Sequence, residues 1–151
     1  MSWLQKFLKH EEEKTMKKKL LILVAAMMLV LAACGGKPTL AEWVESEDVT
    51  TAEDTINATS ASTGMRAEFS AEGEDILVFS CTYLEQLPLD GTSQEDIETY
   101  FSSALSGITS TMDPMFTACE QATGVKLQCI RVKYINADGS EVYSYDFANP
   151  N

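Results

Sequence analysis

The sequence predicts an α+β domain: a four-stranded antiparallel sheet made of two β-hairpins, with helices packed on one face. Three observations predict it. Helical stretches end in Thr-Gly twice, at Thr63-Gly64 and Thr123-Gly124. After each glycine the hydrophobic pattern changes from a helical repeat to strict alternation. Each alternating region is split by a turn, Glu72-Gly73-Glu74-Asp75 in the first and Asn136-Ala137-Asp138-Gly139 in the second. The unit helix–Gly–strand–turn–strand therefore occurs twice.

The elements follow in order. Thr39-Leu40-Ala41-Glu42 is a capping box, in which Thr39 accepts the amide three residues on and Glu42 reaches back. It opens a short helix with Leu40, Trp43 and Val44 on one face. A second helix is expected from about Thr51 to Thr63. From Gly64, Met65, Ala67, Phe69 and Ala71 alternate with Arg66, Glu68 and Ser70. A strand from Ile76 to Leu84 returns, with Leu77, Phe79, Cys81 and Tyr83 on one side. Pro88 and Asp90-Gly91 end it. Thr92 or Ser93 then caps an amphipathic helix carrying Ile97, Phe101, Ala104, Leu105 and Ile108. Asp113-Pro114 reads as the start of a further helix or a kink in the same one. Met115, Phe116 and Cys119 continue the apolar stripe to Gly124. The closing hairpin is expected as Val125–Ile135, a turn, and Glu141–Phe147. That turn has Asn, Asp and Glu but not the spacing of a calcium loop, so it reads as a plain turn.

Upstream of the domain the chain is organised for export. Lys17-Lys18-Lys19 follows Met16, the apolar run from Leu20 to Val30 comes next, and Leu31-Ala32-Ala33-Cys34 closes it. This is the layout of a bacterial lipoprotein signal peptide: a basic start, a short apolar region, small residues before the cut, and a cysteine whose thiol takes a diacylglycerol. A run of this length is too short to span a bilayer, which needs roughly 20 apolar residues. Residues 1–15, with Trp3, Phe7 and Glu11-Glu12-Glu13, are out of place before such a signal. Glu-Glu-Glu can be encoded with a ribosome-binding AGGAGG, roughly eight nucleotides before the Met16 codon. The expected divisions are thus an upstream extension at 1–15, a signal peptide at 16–33, a lipidated tether at 34–38 and one domain at 39–151. Cys34 is the lipidation site, and the membrane is met through its lipid, on the outer face.

Removing the first 33 of 151 residues leaves 118, enough for one core. Six of the 11 Lys and Arg and three of the 23 Asp and Glu lie in that leader, so the remainder has 5 basic and 20 acidic residues, net −15. Such a charge argues against nucleic acid and against lying flat on an anionic bilayer. The one histidine, His10, lies in the leader. Ser-His-Asp and Cys-His catalysis and histidine zinc sites are therefore excluded from the domain. Cys81, Cys119 and Cys129 form no C-x-x-C pair, and three is an odd number, so at least one is free or pairs between chains. Their apolar settings favour buried, inert thiols. No cofactor or metal site is expected.

Several residue runs carry a resemblance: Thr39-Leu40-Ala41-Glu42-Trp43-Val44, the Gly73 hairpin with Leu77-Val78-Phe79, and Val132-Lys133-Tyr134-Ile135-Asn136-Ala137-Asp138-Gly139 with Tyr143 and Phe147. On these the chain resembles a family of small lipoproteins from Gram-positive anaerobes classed as a domain of unknown function. The resemblance implies a sheet-and-helix surface domain and brings no activity.

The expected function is a non-enzymatic, monomeric binding or interaction module for an unknown protein or small ligand. The alternative is a structural or inhibitory envelope lipoprotein acting on one protein target. If Met65, Ala67, Phe69, Ile130, Val132 and Tyr134 face the helices, the opposite sheet face is polar. Its candidate partner surface is Arg66, Glu68, Ser80, Thr82, Arg131 and Lys133, flanked by Ser144 and Asp146. Three of the five basic residues that follow the leader fall there. Cross-strand ion pairing is the competing use of the same residues.

Overall fold

A computed structural model describes residues 36–151. The leader, Cys34 and the 1–15 extension lie outside the described residues. The elements are α1 (Leu40–Val44), α2 (Glu47–Thr59), a 3-10 turn (Ala61–Thr63), β1 (Met65–Glu72), β2 (Ile76–Tyr83), α3 (Gln94–Ser106), α4 (Thr109–Thr123), β3 (Cys129–Ile135) and β4 (Glu141–Ala148). The class is α+β with a four-stranded sheet in the order β1-β2-β3-β4.

The sheet is mixed, which corrects the purely antiparallel expectation. β1 pairs antiparallel with β2, and β3 with β4, but the central pair β2 and β3 is parallel. The reason is the connection. A tight turn reverses the chain, whereas α3 and α4 carry it back to the end from which β2 started, so β3 runs alongside β2 in the same direction. Alternating side chains mark a strand and do not encode the direction of a partner far away in sequence.

Caps set the ends of the elements. The α1 capping box is formed as expected: the Glu42 N–H donates to Thr39 Oγ1, and the Thr39 N–H donates to Glu42. The second helix starts earlier than Thr51, because Ser46 caps it through the Val49 amide and Glu47 and Asp48 occupy its first turn. Ser93, not Thr92, caps α3. The break between α3 and α4 falls at Gly107-Ile108, and Pro114 lies inside α4. Gly64 and Gly124 close helical segments with φ of 66° and 74°, a left-handed conformation that other residues seldom adopt.

β3 begins at Cys129 rather than Val125. Side chains take over the backbone groups that a longer strand would have paired. The Val125 N–H donates to Thr123 Oγ1 at 3.0 Å, and Asn149 Nδ2 donates to the Leu127 carbonyl at 2.8 Å.

One core cluster joins Leu40, Trp43, Val49 and Ile56 from the first two helices with Ile97, Phe101, Leu105, Met112, Met115 and Phe116 from α3 and α4. Its strand members include Ala67, Phe69, Leu77, Phe79, Ile130, Val132, Tyr134 and Phe147. Register places the β1–β3 members on one side of the sheet: Phe69 is opposite Phe79, which is opposite Val132, and Leu77 is opposite Ile130. Leu77 and Ile130, on the central parallel pair, are fully buried.

A polar staple holds the far end of the sheet. Asn136 is 2% exposed. Its Oδ1 accepts from the Leu87 N–H at 2.8 Å, and its Nδ2 donates to the Leu87 carbonyl at 3.3 Å. The loop between β2 and α3 is thereby pinned to the β3–β4 turn. Truncation would leave the Leu87 N–H and C=O without that partner, so Asn136→Ala is expected to cost about 1–3 kcal/mol. Urea denaturation measures this. The exposed turn variant Ala137→Ser should change stability little in comparison.

Candidate functional site

The six sequence-derived surface residues fall on neighbouring strands. Arg66 is opposite Thr82, and Glu68 is opposite Ser80. Ser80 is in turn opposite Lys133, which is opposite Ser144. Arg131 is opposite Asp146 on β4 and Val78 on β2. The face is continuous, but its cations are not all free.

Arg131 is the hub. Its Nε and Nη2 donate to the two carboxylate oxygens of Asp146, at 2.7 and 2.9 Å. Its Nη1 donates to Glu72 Oε1 at 2.7 Å. Lys133 Nζ reaches the other Glu72 oxygen at 3.5 Å. Glu72 was absent from the expected surface because it reads as part of a turn, whereas β1 extends to include it. The bridge from β3 to Glu72 on β1 crosses β2. Val78, between them and in register with Arg131, is only 3% exposed despite lying on the polar side. The Arg131 guanidinium holds the Asp146 and Glu72 carboxyls below their ordinary range.

The remaining chemistry is sparse. Cys119 and Cys129 are buried thiols outside any disulfide. Burial pushes the Cys119 thiol up to about 11, and burial likewise raises Cys129. Neither is poised as a thiolate at neutral pH. The β3–β4 turn is occupied internally: Asp138 Oδ1 accepts from the Ser140 amide and hydroxyl, and Oδ2 accepts from Gln86. Among the described residues no group of His, Cys, Asp and Glu is arranged to hold a metal ion.

A second feature was not legible in the sequence. An open groove of about 540 Å³ runs between α3 and β4, lined by Gln94, Glu98, Ser102, Glu141, Val142, Tyr143 and Ser144. Gln94, Glu98 and Ser102 recur every four residues, one stripe of the helix. The Tyr143 ring stacks on Phe101, with centroids 5.2 Å apart and an interplanar angle of 13°. Only the packing of α3 beside β4 brings these two stretches together.

Residues 40–147 match the family described as Domain of unknown function (DUF4854). The chain belongs to this family. No curated protein and no solved structure matches the chain. The DUF4854 region runs from the first residue of α1 to Phe147 in β4, so it contains both the ion-paired face and the groove.

Depressed carboxyls make the Arg131 network pH-sensitive in a defined direction. Its stabilisation is fully present above the ordinary carboxyl values of 3.8 for Asp146 and 4.5 for Glu72, and is lost as pH falls through their lower folded values. Arg131→Gln should therefore lower the thermal midpoint at neutral pH by a few degrees at most. It should also flatten the acid limb of the stability curve below those values. Molar salt should narrow the gap between variant and parent. Differential scanning calorimetry across pH checks all three.

Proposed function

We propose that this protein is an extracytoplasmic lipoprotein of a Gram-positive cell, anchored by a lipid on Cys34, whose 39–151 domain is a non-enzymatic binding module. The observation that carries the reading is Leu31-Ala32-Ala33-Cys34 behind a basic and then apolar leader. The first helix begins at Leu40, soon after Cys34, so the domain sits near the membrane surface. Among the described residues no helix is long and apolar enough to cross a membrane.

The module reading draws on chemistry. The domain has no histidine, and burial raises two of its thiols away from reactivity. In this reading the helices shield one face of the sheet and leave the other to solvent. The Arg131 and Lys133 ion pairs hold that open face rigid. Arg66 and Glu68, both exposed and on the edge strand, are its parts best placed to meet a partner.

Mass spectrometry of the membrane fraction should find a diacylated N-terminal peptide beginning at Cys34. Cys34→Ala should accumulate as an uncut precursor. Normal processing of that variant would overturn the anchor.

A further inference from the structure

The two edges of the sheet are finished differently. On β1, the Ala67 N–H donates to Asn57 Oδ1 at 2.7 Å and Asn57 Nδ2 donates to the Ala67 carbonyl at 3.0 Å. One helical turn earlier on α2, the Glu53 carboxylate accepts the Phe69 N–H. Two side chains of α2 thus occupy the places of a neighbouring strand, and this edge is closed.

β4 is the other edge. The Asn149 N–H donates to the Gln128 carbonyl, and the next pairs along the same alternation are Ile130 with Phe147, Val132 with Tyr145 and Tyr134 with Tyr143. Those residues face one another across the ladder, so Ser144 and Asp146 turn their N–H and C=O groups outward. β4 (Glu-Val-Tyr-Ser-Tyr-Asp-Phe-Ala) has neither the lysine nor the proline that commonly protects an edge. Beside it, the α3 stripe does not close it. The Gln94 amide donates to Glu98, and the Ser102 hydroxyl donates to the Thr99 carbonyl, both within their own helix.

We infer that the open edge of β4 and the groove beside it accept an extended, lysine- or arginine-bearing segment of a partner protein as a fifth strand. The main-chain groups of Ser144 and Asp146 supply the ladder. Alternate side chains of the guest enter the groove, where they meet Glu98 and Glu141. The acidity of the chain, net charge −12, disfavours a second copy, which would bring two acidic edges together. The inference rests on the binding-module reading and gives it a site. It moves that site from the ion-paired face to the sheet edge.

The test uses the full chain in neutral detergent with three short probes: alternating Lys-Thr, alternating Glu-Thr and alternating Lys-Pro. Lys-Pro matches the Lys-Thr charge but lacks alternate N–H donors. Lys-Thr should bind at low ionic strength and slow hydrogen exchange at the Ser144 and Asp146 amides, with no change at Ala67 and Phe69. Glu-Thr and Lys-Pro should not. Glu98→Gln with Glu141→Gln should weaken Lys-Thr by about tenfold. Ser144→Pro should abolish the exchange effect with the thermal midpoint largely kept. If that variant unfolds, the charge variants decide alone. Equal binding of Lys-Pro, protection elsewhere on the domain, no binding of Lys-Thr, or a dimer joined through β4 would each overturn the inference. Because the lipid on Cys34 is read separately by mass spectrometry, loss of the anchor and loss of this site are distinguishable.

Discussion

The parallel pairing of β2 with β3 is the constraint on which the rest depends. It joins two hairpins into one sheet and places Leu77 against Ile130, both fully buried, at the centre. Parallel neighbours need a long crossover, and here it is two helices. Their apolar stripes contribute Ile97, Phe101, Leu105, Met112, Met115 and Phe116 to the core cluster that also holds Leu77 and Ile130. β1 and β4 are left as the two edges. How each edge is finished then becomes the question with functional content.

A recurring device answers it on one side. Side chains distant in sequence satisfy backbone groups that no strand or helix reaches: Asn57 at Ala67, Asn136 at Leu87 and Asn149 at Leu127. An amide side chain suits this role because it carries a donor and an acceptor in the spacing of a peptide group. Where it is used, the backbone is closed to partners. β4 has the groove of Glu98 and Glu141 instead, and the acidity of the whole chain gives that opening a sign.

The ion-paired face is a lesson in reading charges from sequence. Alternation put Arg131 and Lys133 on one side of a strand, where in an acidic protein they resemble a site for an anion. In the fold they share Glu72, and Arg131 also grips Asp146. Each cation had a carboxylate within reach, and a structural use accounts for most of the cluster.

Local chemistry was enough to determine much of this protein. The Thr39–Glu42 capping box, the left-handed glycines at 64 and 124, the alternating strands and the stripe of α3 are all written within a few residues of where they act, because caps, turns and periodicity are short-range physics. The α+β class and the four strands followed from them. Tertiary structure decided what depends on pairing between distant segments: the parallel direction of β3, the late start of that strand, the capture of Arg131 by Glu72, the closing of β1 by Asn57, and the groove between Glu98 and Glu141. Most of these join residues ten or more positions apart, and those that involve β3 or β4 take shape only after α3 and α4 have crossed from β2 to β3.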